Sequence, residues 1–168
     1  YSVFETIGRE NLLEVDLSDD YANAKYISNA KSFPEKWQKK ATNFRNERAF
    51  FSTVELDIPY GSSDREKMDI FYPKKGTTGV FVFIHGGYWR AFDKSTWSHL
   101  SLGALDNGFV SVIPSYRLCP EVSIGQITLD IAKCIIAIAN IVDSGPIVLA
   151  GHSACLLYTS PSPRDVEE

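Results

Sequence analysis

Ser153 is the residue best placed to do covalent chemistry. It follows an apolar run at 146–150, PIVLA, which leads straight into Gly151-His152-Ser153-Ala154. A serine hydroxyl is a weak nucleophile at neutral pH. It needs a base to take its proton and donors to hold the oxyanion formed on attack. A buried strand that delivers Gly-x-Ser to a sharp turn is the front half of a nucleophile elbow. An earlier apolar run at 79–84, GVFVFI, ends in His85-Gly86-Gly87 and then Tyr88-Trp89-Arg90. Glycines directly after such a strand bring backbone amides close to a ligand. The amides of Gly86, Gly87, Tyr88 and Ala154 are therefore the candidate oxyanion donors, and the chemistry they imply is acyl transfer through Ser153.

Other side chains near these turns have two readings. Tyr88, Trp89 and Trp97 could line an acyl or aromatic pocket, or pack the loop onto the next helix. His85 and Tyr116 are candidate pocket residues, Tyr116 and Arg117 lying at the carboxyl end of a strand, where α/β sheets bind ligands. Asp93, Ser98 and His99 fit helix caps and loop ties better than a site. No CxxC, HExxH or GxGxxG pattern occurs, so neither a metal nor a cofactor is implied.

The elements that must position these residues are legible in the periodicity. Residues 54–58 and 67–72 alternate apolar and polar, which predicts an antiparallel pair at a sheet edge, closed by the turns 59–62 and 73–79. Buried strands are expected at 80–84, 109–113 and 146–150. Between them lie a helix over about 95–107, capped by Asp93 or Ser95, and one over about 123–142 with Ile124, Ile127, Ile131, Ile135 and Ile138 on its inner stripe. Alternating strands and helices imply a parallel sheet with right-handed crossovers. Upstream, Asp19 and Asp20 can cap a helix from Tyr21. Pro34 suits the first turn of another over about 34–48, with Trp37, Ala41, Phe44 and Arg48 on one face.

Composition excludes several classes. The 168 residues are 44% hydrophobic and 23% charged with a net charge of −4, as in a globular domain with interspersed charges. The one basic cluster, Lys36, Lys39 and Lys40, falls on a mixed helix, so no nucleic-acid or membrane partner is expected and the ligand is a small molecule. Assembly with further copies of the chain is left open. Cys119, Cys134 and Cys155 show no paired spacing, which favours a reducing, cytoplasmic compartment. The first residues lack the pattern of a signal peptide.

On these residues the chain is identified as the N-terminal portion of an α/β-hydrolase fold: a mostly parallel sheet with helices on both faces and antiparallel strands at its N-terminal edge. HGGYWRAFDKSTWSHL, PSYRLCPEVSIGQI and LAGHSA, together with the DYANAKYI, FPEKW, LDIPYG and MDIFYP segments, resemble the arylformamidases (kynurenine formamidases) across about 19–154. The resemblance implies hydrolysis of N-formyl-kynurenine to kynurenine and formate, with Ser153 as nucleophile and Gly86, Gly87 and Ala154 at the oxyanion turn. Two rivals are a carboxylesterase or lipase of the HGG type and a non-catalytic protein on the same fold.

Such enzymes place the acid and the histidine after the serine. Here His85, His99 and His152 all precede it, so the chain alone is expected to be inactive. After Ala154 the character changes to CLLYTSPSPRDVEE, with a cysteine where an elbow has a small residue, usually glycine. CLLYTSPSPRD resembles the translated end of a transposon-based sequencing adapter. The expected organisation is thus an N-terminal helical segment at 1–50, a partial hydrolase domain at 51–154 and a non-native tail at 155–168, the parent chain being longer.

Overall fold

The computed structural model describes residues 19, 22–51, 53–139 and 145–159. Tyr21, the end of the predicted 123–142 helix and most of the predicted tail lie outside the described residues. The chain divides into two units, Tyr1–Phe33 and Pro34–Glu168.

In the first unit the helix expected from Tyr21 is replaced by two short 3₁₀ turns, Asn23–Tyr26 and Ala30–Ser32. Between them Ile27 is extended, and Asn29 takes a left-handed conformation at φ 59°, which asparagine tolerates better than most residues. Asp19 does not act as a cap. Its carboxylate accepts from Lys25 and from the Tyr26 hydroxyl.

The second unit opens on α1, Phe33–Phe50. Proline is accommodated in a first turn, where its missing N–H has no intrahelical partner. Ala41, Phe44 and Arg48 form the buried face, as the spacing predicts, and the Arg48 guanidinium lies over the Phe44 ring. Five strands follow, β1 (Val54–Pro59), β2 (Lys67–Phe71), β3 (Gly79–Ile84), β4 (Phe109–Pro114) and β5 (Ile147–Gly151). They form one sheet in the order β1-β2-β4-β3-β5. β1, β2 and β4 pair antiparallel in turn, whereas β3 pairs in parallel with both β4 and β5.

Alternation along the strands sends side chains to two cores. Met68, Ile70, Val80, Val82, Ile84, Val110 and Val112 face α3, Ile124–Ala139, through Ile127, Ile131, Cys134 and Ile138. A reciprocal Ser123–Gln126 arrangement closes the start of α3: the Ser123 amide donates to Oε1 of Gln126 at 2.9 Å and the Gln126 amide to Oγ of Ser123 at 3.3 Å. Phe71 and Ile113 point the other way and pack with Phe44, Trp97 and Leu105. Helices thus cover both faces of a mixed sheet, as expected.

Two details differ from the sequence reading. Ile124 is exposed rather than on the inner stripe, and Asp130 is buried there instead. The first crossover is not one helix. It is two 3₁₀ turns, Lys94–Thr96 and Ser98–Ser101, then a short α2, Leu102–Asp106. Its hydroxyls are engaged outside any helix: Asp93 takes both the amide and the hydroxyl of Ser95, Arg45 donates to Ser98, and Ser111 on β4 bonds Ser101. Such competition explains the fragmentation.

Candidate active site

The chemistry-bearing residues meet where β3 and β5 end side by side. Ile84 pairs with Gly151, and the His152 amide donates to the Ile84 carbonyl at 3.0 Å. Beyond that point both strands turn sharply. Ser153 sits at φ 55° and opens a 3₁₀ turn, Ser153–Tyr158. A left-handed serine is a strained conformation, held here by its surroundings. Gly151 makes the turn feasible, because a Cβ there would stand 2.2 Å from the Cys155 carbonyl oxygen. Gly86 lets the other turn approach: its Cβ would lie 2.8 Å from both the His152 carbonyl oxygen and the Ser153 Cβ. Gly87 follows at φ 123°. Both glycines of the first turn are thus demanded by geometry, Gly86 by its approach to the serine turn and Gly87 by its positive φ and by the Ala91 carbonyl oxygen 2.5 Å from its Cβ position.

Three amides in this corner are free. The N–H groups of Gly86, Gly87 and Ala154 donate to no described residue. Ser153 itself is exposed. Tyr88 and Trp89 continue the turn in left-handed conformations, at φ 52° and 56°. Tyr88 is half exposed, whereas Trp89 packs inward against the α3-side core. Its carbonyl accepts from the Cys119 amide at 2.8 Å, tying the turn to the loop after β4.

His85 and Tyr116, named above as pocket residues, show no exposed surface. Their rings stack at a centroid distance of 4.5 Å. Burial pushes the His85 imidazole down to about 4, the Gly86 carbonyl, Arg65, Asp93 and His152 adding smaller opposed effects, so the ring is neutral at neutral pH. Burial, with the Cys155 contact behind it, raises the Tyr116 hydroxyl, which stays protonated and able to donate. Neither side chain can reach a ligand on Ser153 in this arrangement.

Neither of the other histidines is hydrogen-bonded to Ser153 among the described residues. The His152 ring lies beside Phe83 and Trp97, at 6.4 and 5.3 Å between centroids. His99 belongs to the Ser98–Ser101 turn, and burial, with a smaller push from Lys40, lowers its pKa. Among the described residues Ser153 therefore has a strained turn and free amides beside it, but no histidine committed to it.

Several supporting residues were missed from the sequence. Arg65 donates through Nε to the Tyr116 carbonyl at 2.8 Å and through NH2 to the Phe92 carbonyl at 2.6 Å, bracing the loop after β3 on the loop after β4. Arg117, named above at the carboxyl end of a strand, is paired within the fold. It forms a two-pronged pair with Asp130, at 2.8 and 2.6 Å. Lys133 reaches Glu66 at 2.8 Å. Asp130 had a signal: it is a charge on the apolar stripe that runs through Ile127, Ile131 and Cys134, and a charge there requires a partner. No group of three or more metal-ligating side chains comes together among the described residues, and no described helix is long and apolar enough to cross a membrane.

No family model matches the chain. Known proteins do resemble it. Kynurenine formamidase from Danio rerio is 30% identical over 105 residues, covering 59% of this chain and 35% of that protein. The Drosophila melanogaster kynurenine formamidase is 31% identical over 102 residues, covering 58% and 34%. An isoprenylcysteine alpha-carbonyl methylesterase of Arabidopsis thaliana is 30% identical over 112 residues, covering 62% and 26%. Among solved structures, a protein from Silicibacter sp. TM1040 described as a thioesterase superimposes with a TM-score of 0.80 at 50% identity, covering 83% of this chain and 52% of that one. Esterase B from Lactobacillus rhamnosis, at 21% identity and a TM-score of 0.54, shares the fold. The chain thus spans about a quarter to a third of the curated relatives it matches, and its fold is that of part of an α/β-hydrolase.

Proposed function

We propose that this chain carries the nucleophile and oxyanion half of a serine hydrolase of the arylformamidase type. The observation that supports this most is a left-handed Ser153 packed against Gly86, with the amides of Gly86, Gly87 and Ala154 donating to no described residue. In the reaction envisaged, Ser153 Oγ attacks the formyl carbon of N-formyl-kynurenine, and the carbonyl oxygen becomes an oxyanion facing those amides. Collapse breaks the C–N bond. The amine leaves with the proton taken from serine, as kynurenine, and a formyl ester stays on Ser153. Water then attacks the ester, and formate departs as the serine regains its proton. A general base must carry these protons, and none of His85, His99 and His152 is hydrogen-bonded to Ser153 among the described residues.

The kynurenine formamidase likeness favours the formamide. The likeness to a protein named as a methylesterase and to a solved protein described as a thioesterase favours a second reading, in which the scissile group is a small acyl ester or thioester at the same serine. The two are separated by comparing turnover of N-formyl-kynurenine with that of p-nitrophenyl acetate and acetyl-CoA. The comparison is made in the 168-residue chain and in the longest protein that carries it, each beside Ser153→Ala. In the longest protein, formamide turnover that exceeds ester and thioester turnover and vanishes in Ser153→Ala is the expected result, with no turnover in the 168-residue chain. Equal rates for wild type and Ser153→Ala in an active longest protein would remove the serine mechanism altogether.

A further inference from the structure

Two carbonyl groups of the turn after β3 are held from the core side. The Tyr116 hydroxyl donates to the His85 carbonyl oxygen at 2.6 Å. The His85 ring Nδ1 lies 2.8 Å from the Gly86 carbonyl oxygen. A carbonyl only accepts, so Nδ1 carries the ring proton. The cis peptide among the described residues is Cys119–Pro120, and the two peptides joining His85, Gly86 and Gly87 are trans. In a trans peptide the N–H points opposite to the C=O of the same plane. Drawing the His85 carbonyl toward Tyr116 therefore turns the Gly86 N–H away from it. Drawing the Gly86 carbonyl toward the His85 ring turns the Gly87 N–H outward in the same manner. These are two of the amides that donate to no described residue, and Gly86 is packed against the Ser153 turn. The same tyrosine oxygen also lies 3.2 Å from the Cys155 sulfur.

We propose that His85 and Tyr116 are positioning residues that aim the oxyanion amides, each by fixing the carbonyl half of a peptide plane whose N–H half faces the substrate. This rests on the hydrolase reading above for its consequence, but not for its geometry. Neither residue touches the reacting atoms. Their effect is to remove the freedom of two peptide planes before substrate arrives, where preorganised donors contribute most.

The test combines kinetics with amide spectroscopy. Tyr116→Phe keeps the stacked ring and removes only the donor. It is expected to lower kcat by about tenfold or more, less than the hundredfold typical of deleting an oxyanion donor, with KM little changed. It should also shift the ¹H–¹⁵N amide signals of Gly86 and Gly87 in the 168-residue chain. A second pair of variants guards against misfolding. Asn places its amide nitrogen where His carries Nδ1, whereas Gln extends past it. His85→Asn should retain the Gly87 amide signal and more of kcat than His85→Gln, although both lose ring packing. Unmoved Gly86 and Gly87 signals in Tyr116→Phe, or equal behaviour of the Asn and Gln variants, would overturn the proposal. If wild-type turnover does not depend on Ser153, the hydrolase reading fails and the amide signals alone decide the clamp.

Discussion

Burial of a neutral His85 should make this fold acid-labile in a window well above the carboxylates. The side chain has no exposed surface, and its pKa falls from 6.5 to about 4, chiefly through burial. The unfolded chain holds a proton on this histidine below pH 6.5, while the folded chain refuses it until about pH 4. Between those values the unfolded state binds more protons, so stability rises with pH. The contribution is fully present above pH 6.5 and is lost as pH falls toward 4. A fall from 6.5 to about 4 corresponds to about 3 kcal/mol, a large part of the 5–15 kcal/mol typical of a whole domain.

The assay is urea unfolding at intervals from pH 7.5 to 4.0, for wild type and for His85→Asn, which has no titrating ring. The wild type should lose about 3 kcal/mol more than the variant across that range. The variant starts lower because it leaves a void in the core. Glu66 and Asp57, held low by Lys133 and Lys94, lose their contributions at lower pH and do so in both proteins. Their effect therefore cancels in the difference. Parallel stability curves for the two proteins, or an imidazole titration of His85 near 6.5, would refute the reasoning.

Ser153→Gly should relieve the left-handed backbone at φ 55° and raise unfolding stability by about 1 kcal/mol, while ending any turnover. Thermal unfolding read beside Ser153→Ala, which keeps the strain, checks it. Lys94 lies between Asp57 and Asp69, 2.8 and 2.7 Å from their carboxylates, and Asp69 is 1% exposed. Lys94→Met should cost about 3 kcal/mol by leaving that carboxylate buried without its cation. Adding Asp69→Leu should recover most of the loss, and failure to do so would mean the pair has a further role.

What could be read from the sequence divides along physical lines. Strands advertise themselves by period, and the alternation at 54–58 and 67–72 and the apolar runs at 80–84, 109–113 and 146–150 all became strands of one sheet. The inner stripe of α3 was legible because helical spacing is local. The first crossover was legible only in part: the Asp93 cap was expected, but Ser98 and Ser101 carry no local sign that their hydroxyls bond Arg45 and Ser111, far off in sequence or on β4. Nor could spacing reveal that Tyr116 turns inward to the His85 carbonyl. Strand-end position suggested a ligand contact, and a long-range hydrogen bond decided otherwise.

The glycines at 86, 87 and 151 and the two buried residues behind them answer different needs of one corner. Glycine supplies approach, since a Cβ at Gly86 would collide with the His152 carbonyl of the opposite turn and one at Gly151 with the Cys155 carbonyl of its own turn. Approach alone leaves a peptide plane free to rotate, and a rotated plane would offer a carbonyl where an oxyanion needs an N–H. His85 and Tyr116 supply orientation from the side that substrate never sees. The turn is thus specified twice, by what is missing at the glycines and by what is buried at the ring pair. Each half is separately breakable: Gly86→Ala should displace the turn from Ser153, and Tyr116→Phe should leave it in place with its amides loosened.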